Sequence, residues 1–245
     1  MPRSFIRLAL LISALPFPAF AITGGVLGPS DLAAQTILIV STRGASCTGT
    51  VIARDLIITA GHCVEPPANY AVKIDELGSS RIVPVAKIVL HPSYDPKKFE
   101  MRKPSPDMAI LKISEPLPAI YKLAKISTST ALPKPGEVFV LAGFGFSVEG
   151  DERSMGKLRS VALPAIGITG GIMVRLSSNN ARAASACDGD SGGPVFREGA
   201  LAGVIGWINV SAGRNCGSIT GATLTGLQRQ WISSTARTFG AAIRD

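Results

Sequence analysis

A serine hydroxyl is a weak nucleophile at neutral pH. It needs an adjacent base, and the base needs an orienting partner. In "SACDGDSGGPVF", Ser185–Phe196, one serine, Ser191, follows Asp190 and precedes Gly192 and Gly193. Gly189 lies two residues upstream and Cys187 four. Such residues also build ordinary turns, so the stretch alone does not distinguish a turn from a nucleophile. The chain has two histidines, so the search for a base is short. His62, in "LIITAGHCVE", ends an apolar run and adjoins Cys63. His91, in "IVLHPSYD", precedes a proline and reads as a strand-end packing residue. The orienter should be a carboxylate held by a rigid strand. Asp107 opens the apolar run "DMAILKI", whereas Asp95 and Asp151 lie in polar turns. The glycines around Ser191 permit unusual backbone angles and close approach of a substrate. Backbone N–H groups beside such a serine suit a developing oxyanion.

The elements that must position these groups are short. "TILIVST", "CTGTVIA", "DLIITAG", "RIVPVAKIVL", "MAILKI", "EVFVLAGFG", "GIMVRL" and "LAGVIGWINV" are Ile- and Val-rich runs separated mostly by Gly, Pro, Asp or Asn. Many short strands at this spacing predict an all-β sandwich or barrel. The number of runs matches about two barrels, and the Pro-rich stretch 115–135 is the best linker. One segment reads as a helix. In "TLTGLQRQWISSTARTFG", Leu224, Leu227 and Trp231 share a face, Thr225 and Gln228 fit a capping box, and Gly240 fits a stop.

The 245 residues are 46% hydrophobic and 17% charged, a globular composition that argues against disorder. Residues 1–21 read as a secretory leader. Arg3 and Arg7 are basic, and Leu8–Leu15 is a short apolar stretch. That stretch is well under the roughly 20 residues a spanning helix needs. Ala19-Phe20-Ala21 fits the small-x-small cleavage pattern. A secreted or periplasmic location is therefore expected, with no membrane association after leader removal. In an oxidising compartment, Cys47, Cys63, Cys187 and Cys216 predict two disulfides. Three pairings are possible, and the local loops Cys47–Cys63 and Cys187–Cys216 are the simplest. No CxxC occurs, so no structural metal is expected. The acidic turn at Asp75 and Glu76 reads as exposed rather than as a calcium loop. The net charge is +8, but no Lys/Arg run exceeds two residues, which argues against a nucleic-acid partner.

Together these motifs resemble the chymotrypsin/trypsin-type serine peptidases over nearly all the chain past the leader. "TAGHC", "DMAIL" and "GDSGGP" occur in the order His, Asp, Ser, which differs from the order in subtilisins and α/β-hydrolases. "ITGG" follows the leader, and cysteines stand near His62 and Ser191. The resemblance implies two antiparallel six-stranded β-barrels with a C-terminal helix: barrels over 22–120 and 121–245, with the site in the cleft between them. It implies Ser191 as nucleophile, His62 as general base and acid, and Asp107 as orienter, with the N–H groups of Gly189 and Ser191 as the oxyanion hole. The family's spacing puts Ser185, Ile208 and Gly221 around the primary specificity pocket. With no acid at Ser185 and a β-branched residue at 208, cleavage after small or medium apolar residues is expected. A new N-terminus at Ile22 would pair with Asp190, so that leader removal itself activates the enzyme.

The resemblance also implies polypeptide substrates, protein inhibitors, a monomeric state and no cofactor. There are departures from the family pattern. Gly206 stands where a serine usually braces the triad aspartate, and Phe144 stands where Trp is common. Two disulfides are fewer than animal members carry and match bacterial-looking relatives. The loop "DPKKFEMRKPSPD" places Lys97, Lys98, Arg102 and Lys103 before Asp107 and reads as solvated. The rival expectation is a catalytically inactive binding module on the same fold, with a basic surface for anionic partners.

Overall fold

The computed structural model describes residues 22, 25–76, 78–101, 103–178, 184–210 and 213–244. The leader and Arg102 lie outside the described residues. Six strands form the first barrel: β2 (Thr36–Ser41), β3 (Ser46–Ala53), β4 (Leu56–Thr59), β5 (Tyr70–Glu76), β6 (Ser79–Leu90) and β7 (Ala109–Ile113). They close in the order β2-β3-β4-β7-β6-β5. Pro84 interrupts an otherwise ideal β6 run. It is accommodated beside a register shift between Val85 and Lys87, the setting in which a missing strand N–H is tolerated.

The second barrel comprises β9 (Val138–Gly143), β10 (Arg159–Thr169), β11 (Met173–Leu176), β12 (Pro194–Arg197), β13 (Ala200–Ile208) and β14 (Thr220–Leu224). Their order is β10-β11-β14-β13-β12-β9, and β9 pairs again with β10 to close the ring. Two short strands attach to it. β1 (Val26–Leu27) pairs with β10, and β8 (Lys125–Ile126) pairs in parallel with β13. The N-terminal segment therefore crosses to the second barrel before the first begins.

Each barrel has its own core. Ile37, Ile39, Ile57, Val72 and Leu111 fill the first, and Phe139, Leu141, Leu163, Val174 and Ile205 fill the second. A third cluster lies between the barrels and explains why "LIIT" and "MAIL" lack polar alternation. Ile57 of β4 points into the first barrel, while Leu56 and Ile58 point out toward the second. Leu111 and Ile110 of β7 divide in the same way. A strand buried on both faces reads as a continuous apolar run.

The C-terminal helix α3 (Arg229–Thr238) follows a short 3-10 turn and packs Ile232 and Ala236 into this middle cluster. Spaced by four residues, the two lie on one helical face. The predicted capping box does not form. The Thr225 hydroxyl donates to the Leu201 carbonyl instead, because Leu224 and Thr225 still belong to the barrel wall. The predicted stop holds. Gly240 takes a left-handed φ of +74°, and the Ala241 N–H returns to the Ala236 carbonyl at 3.0 Å.

Ile232→Ala should remove a fully buried side chain from the junction of the two barrels. Urea unfolding should show a loss of about 2–5 kcal/mol; a loss below about 1 kcal/mol would mean that the helix does not secure this junction.

Candidate active site

Strand pairing explains how two residues 45 positions apart meet. In the β4–β7 ladder, Thr59 stands opposite Ala109. His62, just past one strand, and Asp107, just before the other, therefore leave the sheet at the same end. The His62 Nδ1 lies 2.7 Å from Asp107 Oδ2, and the His62 backbone N–H donates to Oδ1 at 2.9 Å. This two-point hold fixes both the imidazole and the backbone that carries it. An ionised carboxylate only accepts, so Nδ1 is the donor and Nε2 is left to accept a proton. Asp107 is buried, while the His62 side chain keeps 18% exposure, so the pair is anchored inside and open on one edge. Gly206 stands behind it; an added Cβ there would lie 3.3 Å from Asp107 Oδ2. A serine hydroxyl at that position would be within reach of the carboxylate, and this chain dispenses with it.

Sequence reasoning missed Phe99. It sits on α2 (Pro96–Glu100), whose start is capped by Asp95 accepting from the Lys97 N–H at 3.0 Å. The Phe99 ring stacks on His62, with centroids 4.4 Å apart and planes 11° apart. The expected loop is thus a short helix that covers one imidazole face. The signal was a lone aromatic within a basic run, too weak to read without the fold.

The turn carrying Ser191 belongs to the second barrel but is held by the first. The Thr48 N–H donates to the Ser191 carbonyl at 2.8 Å, and its hydroxyl donates to the Gly189 carbonyl at 2.9 Å. That hydroxyl also accepts from the Phe144 N–H at 3.1 Å. At Gly192, φ is +79°, and a Cβ would overlap the Thr59 hydroxyl and the Thr48 carbonyl. Only glycine lets the turn come this close. Thr48 is a second residue the sequence did not single out, since a threonine in a β-run looks like any other strand residue. The Cys47–Cys63 disulfide lies alongside, with Cys63 Sγ 3.5 Å from the Ser191 carbonyl and 3.9 Å from His62 Nε2. The second disulfide joins Cys187 to Cys216, so the simplest pairing is the one formed.

His62, Ser191, Gly189, Cys47 and Cys63 line one cleft of about 340 Å³. Among the described residues, the N–H groups of Gly189 and Ser191 donate to no protein acceptor. They are free donors next to the half-buried Ser191.

Asp190 faces the other way and is fully buried. Its carboxylate accepts from the Cys187 and Gly145 N–H groups, each at 2.8 Å. A Cβ at Gly143 or Gly145 would overlap it, so glycine at both positions makes its chamber. Burial pushes its pKa up to about 7, and the two N–H donors only partly oppose this. No cationic side chain among the described residues pairs with it. Ile22 is also fully buried, with φ +42°.

The residues expected around the specificity pocket lie on or beside β13 and β14. Ser185 is buried, and its hydroxyl donates to the Gly217 and Ala186 carbonyls. Ile208 is half-buried on β13. A bulge between Ile205 and Trp207 shifts the register, so that Ile208 faces Thr220 and Gly221 faces Trp207. Gly221 makes room for the Trp207 ring, which any Cβ there would overlap. Thr220 is buried and its hydroxyl accepts from the Ala186 N–H at 3.2 Å.

His91 is a packing residue, as expected. Its ring lies 4.7 Å from Trp231, its Nδ1 accepts from the Ser93 N–H at 3.1 Å, and burial lowers its pKa. Asp75 pairs with Lys73 at 2.9 Å. The metal-ligand cluster found among the described residues is Cys47, His62 and Cys63, and the disulfide consumes both of its thiols.

Comparison with known proteins agrees with this geometry. Residues 29–232 match the trypsin family. Trypsin alpha-4 of Lucilia cuprina is 29% identical over 202 residues, 76% of each chain. Human serine protease 1 is 26% identical over 184 residues, covering 69% of this chain and 72% of that protein. These relatives are animal enzymes and lend no support to the bacterial likeness drawn from the disulfide count. Among solved structures, mouse neuropsin, a serine protease, superposes with a TM-score of 0.71 at 21% identity, over 86% of this chain and 98% of that one. A structure of HBP gives 0.73 at 19% identity, over 88% and 97%. These two likenesses show the chymotrypsin-like fold, and the family match spans most of the chain: this protein belongs to the trypsin family of serine endopeptidases.

Proposed function

We propose that the protein is an exported endopeptidase in which Ser191, His62 and Asp107 act together. The observation that carries this reading is the 2.7 Å His62–Asp107 contact, with the imidazole opening onto the cleft that Ser191 shares. Ser191 Oγ attacks the scissile carbonyl carbon, and its proton passes to His62 Nε2. Asp107 stabilises the imidazolium. Charge develops on the carbonyl oxygen, where the free N–H groups of Gly189 and Ser191 receive it. The C–N bond breaks as Nε2 returns the proton to the leaving amine. Water then attacks the acyl-enzyme by the reverse sequence and regenerates Ser191.

Ser185, Ile208 and Thr220 are proposed to bound the primary pocket. It has no floor charge and a β-branched residue on each of two facing strands, which favours small or medium apolar side chains. The leader pattern supports export, as a secreted or periplasmic monomer acting on polypeptides and open to protein inhibitors. No helix among the described residues is long and apolar enough to cross a membrane. Cleavage after Ala21 would free the Ile22 ammonium, and buried Asp190 is its proposed partner.

Ser191→Ala, His62→Ala and Asp107→Asn should each lower peptide hydrolysis by about 10⁴-fold or more. A sulfonyl fluoride should label wild type but not Ser191→Ala. Near-normal turnover in His62→Ala would refute the assignment of the base.

Cleavage of a peptide library should favour Ala, Val or Leu before the scissile bond. A profile dominated by Arg and Lys, or by Phe and Tyr, would contradict the pocket assignment.

The Asp190 pair predicts a pH effect that depends on processing. Where Ile22 is still an amide, Asp190 has a pKa of about 7 in the fold, against an ordinary carboxylate value of about 4 when unfolded. The folded state then holds the extra proton, so its stability falls as pH rises through that window. A free ammonium would supply the countercharge and remove this loss. Its own pKa would be raised above the usual range of about 7.7–8.0, so its stabilisation would fade only as pH rises through that higher value. Urea unfolding of both forms at pH 5 and pH 7.5 should show the loss in the unprocessed chain alone. Equal pH dependence in the two forms would rule out the pair.

A further inference from the structure

The outer face of β11, β14 and β13 carries a cation that the mechanism above does not use. Residues paired directly across neighbouring strands point to the same face. One such row runs Gly167, Arg175, Gly221, Trp207. Val174 and Leu176 enter the core, so Met173 and Arg175 take the outer face. That face borders the catalytic cleft, because a Cβ at Gly206 would lie 3.7 Å from Met173 Cε and 3.3 Å from Asp107 Oδ2.

Two glycines clear this row. With no side chain at Gly221, the Trp207 indole lies over that glycine. At Gly167, an added Cβ would lie 2.9 Å from Arg175 Nη2, so the guanidinium lies over that glycine. Two strand spacings, about 10 Å, separate the Arg175 and Trp207 backbones.

Arg175 Nε is buried without a hydrogen-bond partner, and Arg175 forms no ion pair among the described residues. The buried carboxylates Asp107 and Asp190 are committed, the first to His62 and the second to backbone N–H groups. At the hairpin tip, Gly170 packs against Pro104, which brings the loop bearing Lys103 to the same edge. Lys97 and Lys98 sit on the helix whose Phe99 covers His62. A partly buried guanidinium with an unpartnered Nε and no ion pair among the described residues is suited to a carboxylate.

We propose that Arg175 is a specificity-determining residue that binds an acidic side chain of the substrate. Trp207 immediately precedes Ile208 of the proposed primary pocket, so the bound residue is one of those two to four positions before the scissile bond. Its carboxylate meets the guanidinium beside Gly167. This assignment rests on the peptidase reading and adds to it a preference for substrates with Glu or Asp shortly upstream of a small apolar residue.

The test uses peptides that differ only by Glu or Gln at each of those three positions. Wild type should favour Glu at one of them by roughly tenfold in kcat/KM, as expected for one charge-assisted hydrogen-bonded contact. The Glu/Gln ratio should fall to about one in Arg175→Gln, recover in part in Arg175→Lys, and shrink with added salt. The same peptides should bind Ser191→Ala with the same Glu preference, read by fluorescence anisotropy. Equal kcat/KM for Glu and Gln at all three positions in wild type overturns the proposal, as does an unchanged ratio in Arg175→Gln. If no peptide is cut, the peptidase reading fails, and the anisotropy ratio then decides the role of Arg175 separately: a Glu preference supports it and equal binding overturns it.

Discussion

The site depends on a clamp between the barrels. Thr48 on the first barrel holds the backbone of the Ser191 turn at two carbonyls, while Gly192 lets that turn press against Thr59. His62 and Asp107 belong to the first barrel and Ser191 to the second, so their relative placement is only as good as this contact. Backbone hydrogen bonds suit the task because their geometry is strict and their loss is costly. An unsatisfied buried polar group costs about 1–3 kcal/mol. The disulfide at Cys63 passes through the same place, tying the residue after His62 back to β3. The middle hydrophobic cluster, with Ile232 and Ala236 of the C-terminal helix, supplies the non-directional part of the same junction.

Two buried carboxylates sit on either side of that clamp, and they meet the cost of burial differently. Asp107 has an imidazole on one oxygen and a backbone N–H on the other, so its charge is answered within the first barrel. Asp190 has only two backbone N–H groups, and burial pushes it up toward neutrality. This glycine-lined chamber is where the proposed Ile22 ammonium would supply the missing countercharge. Arg175, on the outer face of β11, is its counterpart, a cation with no ion pair among the described residues. In each case the unmet interaction points to what the protein has yet to bind.

The specificity region illustrates how far register reasoning carries. The family's spacing put Gly221 on the second wall of the pocket. The bulge in β13 moves the pairing by one, and a shift of one residue along a strand exchanges the face a side chain occupies. Thr220 therefore faces Ile208, and Gly221 makes room for the Trp207 ring. The same bulge turns Gly206 toward Asp107, at the position where the family usually keeps a serine.

The strand runs, the disulfide count and the three short motifs around His62, Asp107 and Ser191 were legible in the amino-acid sequence, because each is a local pattern of residue types. Continuous apolar runs at "LIIT" and "MAIL" announced burial, and the glycines beside Ser191 announced a tight turn. Local patterns do not encode which distant groups meet. That Thr48 clamps the Ser191 turn, that Phe99 stacks on His62, that Thr225 serves the barrel wall rather than a helix cap, and that Arg175 shares a face with Trp207 were decided by tertiary structure. Each depends on strand register or on the docking of one barrel against the other. Those relations are set by the summed packing of two cores and the cluster between them, and no single stretch of residues specifies them.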